Sequence, residues 1–353
     1  MKTEHILIMR FSAIGDVAMT VPVVASLAKQ YPNVRITVLS KSFAKVFFEN
    51  LSPNVGFMEV DFDGENKGIH GLNVLYRRLA AKHFTAIADL HDVLRTKYLR
   101  LRFNLDRYRV MHIDKHHKDR KKLTAKKNKI LRQLPSSFEN YADVFKKLGY
   151  PITLDFKSIY SPLGGNLRQL PPVIGEKKGF QQWIGIAPFA AHQGKIYPID
   201  KMEKVIEMIT TLHPNWRIFL FGGGRNEISI MSEWEKKYKQ CICVSEYLSG
   251  LSQELILMSH LNVMVSMDSA NMHLASLTGI PVISIWGATH PYTGFMGWNQ
   301  NEQNIIQVSL SCRPCSIYGK KPCYINKNME CMHRITPKMI MDKIDNVIQN
   351  INN

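Results

Sequence analysis

Asp16 closes the stretch Arg10-Phe11-Ser12-Ala13-Ile14-Gly15-Asp16, which joins an apolar β-branched run to a helix-length amphipathic segment. A carboxylate there has two uses. It caps the helix, a common role of Asp, or it accepts a proton as a general base, its charged form favoured by the helix N-terminus. Spacing leaves both open. A second constellation is Met267-Asp268-Ser269-Ala270-Asn271-Met272-His273-Leu274-Ala275. Polar residues at a strand end that run into a helix bring free backbone N–H groups toward phosphate or sugar oxygens. Asp268 and His273 lie five apart, so both reach one ligand only if Asp268 precedes the helix. Taken alone, a histidine in a buried helical turn is more often structural. Lys195, in Ala190-Ala191-His192-Gln193-Gly194-Lys195-Ile196-Tyr197-Pro198, follows another strand and suits a diphosphate. Two more strand ends, Phe221-Gly222-Gly223-Gly224-Arg225-Asn226-Glu227 and Trp286-Gly287-Ala288-Thr289-His290-Pro291, carry ligand-capable groups. The glycines by themselves say little, since they commonly shape strand-to-helix turns. The set together favours a nucleotide site. No Gly-x-Gly-x-x-Gly follows the first strand, which counts against a dinucleotide-dependent dehydrogenase.

The elements that position these groups alternate as parallel α/β units do. Strands are predicted at Ile6–Arg10, Arg35–Leu39, Gly56–Val60, Thr85–Leu90 and Arg109–Ile113, with a helix over Val17–Gln30. The rhythm returns at Trp183–Ala187, Trp216–Phe221, Ile242–Ser245, Val263–Ser266 and Val282–Trp286. Between the halves, Ser161-Pro162-Leu163-Gly164-Gly165-Asn166, then Pro171-Pro172 and Gly175, read as a linker. The expected domains are 1–165 and 166–335, two α/β lobes with a cleft between them, followed by a terminal helix, 336–353, opened by Thr336-Pro337. A chain of 353 residues fits two domains.

Composition narrows the partners. Hydrophobic residues at 45% and charged residues at 21% describe a folded chain with a full core, neither disordered nor a disulfide scaffold. The formal net charge is +17. Fifteen basic residues against three acidic ones between Arg95 and Arg132 hold most of it, a density that points to an anionic acceptor or an acidic membrane surface. No apolar run approaches the ~20 residues of a membrane-spanning helix. The N-terminus lacks a signal-peptide pattern, and six cysteines suit a reducing cytoplasm. Cys312, Cys315, Cys323 and Cys331 lie within one short stretch. Their spacing fits a structural zinc site poorly, so free thiols rank first, zinc second and disulfides last.

Arg10-x-Ser12-x-x-Gly15-Asp16, Asp89-Leu90-x-x-x-x-Arg95, Asp268-Ser269-x-x-Met272-His273-Leu274-Ala275 and Gly287-x-Thr289-x-Pro291, in that order over nearly the whole chain, resemble the lipopolysaccharide heptosyltransferases of glycosyltransferase family 9. The resemblance implies an α/β GT-B architecture: two Rossmann-like doubly wound domains, the donor mainly on the second, and a terminal helix crossing back to the first. It implies an inverting transfer of heptose, or a related sugar, from an ADP-sugar to the lipopolysaccharide inner core, on the cytoplasmic face of the inner membrane. Asp16 matches the catalytic base. Lys195, Glu227, Asp268, Ser269, Ala270 and His273 match the donor-binding positions. Arg10, Ser12, Arg95, Arg120, Lys121 and Lys122 are assigned to the acceptor. No cofactor is required, and Lys195 with the helix N-terminus at Ser269–His273 stabilises the departing diphosphate without a metal. Two positions depart from the family pattern: Ala270 stands where glycine is usual, and His290 where aspartate is usual.

Two other readings compete. A sugar-nucleotide epimerase of GT-B shape has no need of the basic segment. A nucleic-acid-binding protein suits the charge, but the basic run lacks interleaved aromatics and no DNA-binding helical motif is present.

Overall fold

The structure, a computed structural model, describes residues 4–179, 181–325 and 329–352. It comprises two compact units.

The first unit is built on five parallel strands, β1 (His5–Met9), β2 (Arg35–Ser40), β3 (Val55–Glu59), β4 (Ala86–Asp89) and β5 (Arg109–His112), in the order β3-β2-β1-β4-β5. Ile6 lies opposite both Ile36 and Ala86, which places β1 at the centre. All five β1 residues are buried, as expected of a strand covered by helices on both faces. Leu75, Leu79, Leu99 and Phe103 from two helices pack on Leu7, Met9 and Ile87.

The second unit has six parallel strands, β6 (Trp183–Ala187), β7 (Arg217–Leu220), β8 (Cys241–Cys243), β9 (Val263–Met267), β10 (Val282–Ile285) and β11 (Ile305–Ile306), ordered β11-β10-β9-β6-β7-β8. This is the doubly wound order, with β6 first and the chain returning to its other side at β9.

Each predicted strand is present, with differences at the ends. Residues 244–247 turn helical immediately after β8 instead of extending it, and β11 pairs with β10 although its two residues are too few to leave a pattern. The first predicted helix is two helices, Ile14–Ala18 and Val21–Gln30. Pro22, which has no N–H to donate, sits at the start of the second. Thr20 Oγ1 donates to Val17 O across the break.

The boundaries of the compact units differ from those of the expected domains. The first unit holds residues up to Lys115 and Pro135–Lys157; the second holds His116–Leu134 and everything from Ser158 onward. Hydrogen bonds explain the assignment. Lys129 Nζ donates to Cys312 O and Pro314 O at 2.6 and 2.8 Å, and Leu134 N to Tyr292 O at 3.0 Å. The expected linker is also anchored in the second unit: Gly165 N donates to Ser259 Oγ at 2.8 Å. The helix Pro337–Asn352 packs within the second unit. Ile340, Met341, Ile344, Val347 and Ile348 are buried in the core of the second unit, and His213 pairs with Asp345. Thr336 Oγ1 accepts from Met339 N at 3.3 Å, the cap read from the sequence.

Candidate active site

In a doubly wound sheet, ligands bind beyond the carboxyl ends of the strands where the winding reverses. In the first unit that point lies between β1 and β4. The loop after β1 carries Arg10, Ser12 and Asp16. Asp16 is the third residue of the helix Ile14–Ala18 rather than its N-cap, and its Oδ2 accepts from Ala13 N at 3.1 Å. Arg10 Nη2 stands 2.9 Å from the same oxygen, and its Nη1 donates to Leu90 O at 2.7 Å. The buried guanidinium therefore ties the β1 loop to the β4 loop. Ser12 is exposed.

Sequence reasoning missed His91 as a working part of this site. Its Nδ1 accepts from Phe11 N at 3.3 Å, so its proton resides on Nε2, 3.5 Å from Ser12 Oγ. Burial, then the charges of Arg10 and Lys115, push its pKa down to about 3, and the ring is neutral at physiological pH. Asp89, at the end of β4, accepts from His91 N and Asp92 N and meets Arg100 Nε at 3.2 Å. The signal was present: the Asp89–Arg95 motif follows the strand beside β1, but adjacency of the two strands is not written in their order along the chain. Arg95 is exposed, its guanidinium 4.7 Å from the Phe62 ring.

In the second unit the winding reverses between β6 and β9, and two expected donor residues meet there. Lys195, in the turn Gln193–Lys195 after β6, places Nζ 2.8 Å from Asp268 Oδ2 after β9; the side chains are 14% and 3% exposed. Gly319, with φ +73°, lies against the lysine stem: a Cβ there would stand 2.7 Å from Lys195 Cγ. Ser269 is the N-cap of the helix Ala270–Leu277, with its Oγ 3.3 Å from Ser266 Oγ, and His273 is buried in that helix. Glu227 Oε2 accepts from Gly223 N at 2.8 Å, so it holds the triple-glycine turn after β7.

The two departures have structural answers. Ala270 begins the helix in ordinary helical backbone, so the glycine freedom it lacks is not needed here. His290 Nδ1 accepts from Tyr292 N at 3.1 Å, the capping task an aspartate performs. Burial and the nearby Arg313 and Lys129 charges push its pKa down to about 4, leaving a neutral acceptor in place of a carboxylate. Arg313, also missed, is buried and donates to the carbonyls of Gly287, Trp286 and Thr289, fixing the loop after β10.

The basic segment is divided. Arg120, Lys121 and Lys122 belong to the second unit, not to the expected acceptor domain. Arg120 Nη1 donates to Tyr318 Oη at 2.7 Å and its guanidinium lies 5.2 Å from the Phe295 ring; Lys121 and Lys122 are exposed. All six cysteines are free thiols, and Cys312, Cys315, Cys323 and Cys331 line one cavity. Among the described residues, no three His, Cys, Asp or Glu groups are arranged to hold a metal ion. Among the described residues, no helix is long and apolar enough to cross a membrane.

The family model for glycosyltransferase family 9 (heptosyltransferase) matches residues 74–325, a span that contains every expected donor residue but not Asp16. No curated protein matches the chain. Among solved structures, a family 9 glycosyl transferase from Veillonella parvula is 16% identical with a TM-score of 0.71, over 99% of this chain and 98% of that one. ADP-heptose lps heptosyltransferase II of E. coli is 15% identical with a TM-score of 0.70, over 99% and 100%. E. coli heptosyltransferase WaaC with ADP is 15% identical with a TM-score of 0.66, over 97% and 99%. At these identities the likeness is one of fold: two Rossmann-like units of the GT-B kind.

Proposed function

The chain belongs to glycosyltransferase family 9, the heptosyltransferases, and from that premise we propose that this glycosyltransferase moves a heptose, or a related sugar, from an ADP-sugar to the lipopolysaccharide inner core with inversion at the anomeric carbon. The pairing of Lys195 with Asp268 where the second sheet reverses its winding carries the reading. A buried ammonium held by a carboxylate at a strand-end crevice suits a nucleoside diphosphate.

In the proposed reaction the acceptor hydroxyl attacks the anomeric carbon as its proton passes to the Asp16 carboxylate. The bond from that carbon to the diphosphate breaks, and the electron pair leaves on the phosphate oxygen. Lys195 and the backbone N–H groups at the start of the helix Ala270–Leu277 stabilise the charge that develops there. Arg10 and the Ala13 N–H hold Asp16 in one direction, the positioning a general base needs. Glu227, Asp268, Ser269, Ala270 and His273 bind the donor. Arg10, Ser12, Arg95, Arg120, Lys121 and Lys122 serve the acceptor, with Arg120 acting through the Phe295 and Tyr318 wall that it braces. No cofactor is required. The reaction takes place on the cytoplasmic face of the inner membrane, where the acceptor is held.

The test is transfer from a panel of nucleotide sugars to heptose-deficient lipopolysaccharide, with the anomeric configuration of the product read by NMR. Transfer from an ADP-heptose with an inverted linkage supports the proposal. Absence of transfer from any ADP-sugar, with thermal protection by oligonucleotides instead of ADP, overturns it.

A further inference from the structure

The helix Leu94–Leu105 in the first unit is apolar on two opposite faces. Thr96, Leu99 and Phe103 are buried, and the helix packs on β4, β5 and the neighbouring helix Gly68–Ala80. With 3.6 residues per turn, Leu94, Leu101 and Leu105 fall within an arc of about 40°, half a turn from that buried face. Their exposures are 86%, 56% and 69%. Isolated exposed leucines need no explanation, but three aligned on one helix facing away from the core form a stripe that the unit leaves uncovered. Ile69, on the neighbouring helix, is also 69% exposed.

The charge around the stripe is basic. Lys97 on this helix, Arg107 two residues past its end and Arg77 on the neighbouring helix are exposed. Two acidic residues lie near the stripe: Asp92 pairs with Arg100 at 2.9 Å and more loosely with Lys97 at 3.7 Å, and Asp106 accepts from the Tyr76 hydroxyl and keeps its charge, so the cations still outnumber the carboxylates. An outward leucine stripe flanked by cations is the pattern of a helix that lies in a membrane interface, with apolar side chains at the acyl boundary and cations at anionic headgroups.

We propose that the helix Leu94–Leu105 docks this protein on an anionic bilayer, inserting Leu94, Leu101 and Leu105 among the headgroups while Lys97, Arg107 and Arg77 meet lipid phosphates. The inference deepens the proposed function, since a membrane-held acceptor gives the docking its use, but it stands on surface chemistry alone. Three leucines and a few cations make a reversible seat, not a permanent anchor.

The experiment is co-sedimentation of the full chain with phosphatidylcholine vesicles, with and without phosphatidylglycerol. The wild type is expected to bind the anionic vesicles and hardly to bind the neutral ones. Leu94→Ser/Leu101→Ser/Leu105→Ser is expected to lose binding by roughly tenfold or more with its melting temperature retained, because these side chains contribute little to the core. In Leu101→Trp, a blue-shifted emission quenched by brominated lipid chains marks insertion. Undiminished binding by the triple variant, or no binding by the wild type, overturns the proposal. So does a wild-type dimer that the triple variant dissociates, which would assign the stripe to a second copy of the chain. Transfer to a soluble, deacylated acceptor is measured in parallel; if it persists in a protein that ignores vesicles, docking fails while the proposed function stands.

Discussion

Lys195 and Asp268, seventy-three positions apart in the chain, meet at 2.8 Å because β6 and β9 are hydrogen-bonded neighbours in the sheet. The pair is nearly solvent-free, so each partner depends on the other. Replacing Lys195 by Gln leaves a buried carboxylate without its counter-charge, at a cost of about 3–5 kcal/mol. The double variant Lys195→Gln/Asp268→Asn is expected to regain most of that stability and none of the donor affinity. Urea denaturation beside calorimetric titration with ADP separates the two effects.

Gly319 tests the same lysine from behind. Gly319→Ala adds a Cβ 2.7 Å from Lys195 Cγ and places a side chain at φ +73°. The strain is on the order of 1–3 kcal/mol. Displacement of the ammonium is expected to weaken ADP binding roughly tenfold, with no change in the far-ultraviolet circular dichroism. Unaltered ADP affinity would show that the lysine position is not decisive.

Asp16→Asn retains the shape of the carboxylate and removes the base. Turnover is expected to fall by roughly a hundredfold to ten-thousandfold, while the dissociation constant for ADP stays within a few-fold. Retained turnover in a steady-state assay would restrict Asp16 to its helix-capping contact with Ala13.

His91 makes stability depend on pH. Its folded pKa, about 3, lies below the ordinary 6.5. Between those values the unfolded chain takes up a proton that the folded chain refuses, so this contribution is intact above about pH 6.5 and is lost as pH falls toward 3. The slope is on the order of 1 kcal/mol per pH unit. His91→Asn, which offers an acceptor near the Nδ1 position, is expected to show a shallower loss between pH 7 and pH 5 in urea titrations. An identical slope in both proteins would locate the proton uptake elsewhere.

Lys121, Lys122, Lys126 and Lys127 are exposed. Their joint replacement by Gln is expected to raise the KM for lipopolysaccharide at least tenfold at low salt and to leave ADP binding unchanged. The difference should shrink as salt is added, because exposed charges are screened. Equal acceptor kinetics would make the run an ordinary solvated face.

Much was legible in the sequence, for identifiable reasons. Apolar, often β-branched runs marked the central strands because buried parallel strands must be apolar on both faces, and Pro337 marked the start of the last helix. The strand-end motifs indicated which residues could face a ligand. Glu227 and His290 show the limit: neither motif revealed the hydrogen bond by which each residue shapes its own loop. Pro22 was visible too, yet reading through it merged two helices.

What the chain by itself determined was the local part: strand and helix periods, turn residues, the order of the motifs, and a charge of +17 concentrated in one segment. The tertiary structure alone decided which strand lies beside which. It thereby set Arg10 against Leu90, His91 beneath Ser12 and Lys195 against Asp268. It also gave residues 116–134 and the last helix to the second unit. Local pattern records how each segment buries its own face, whereas partners distant in the chain are chosen by sheet order and packing, which no periodicity encodes.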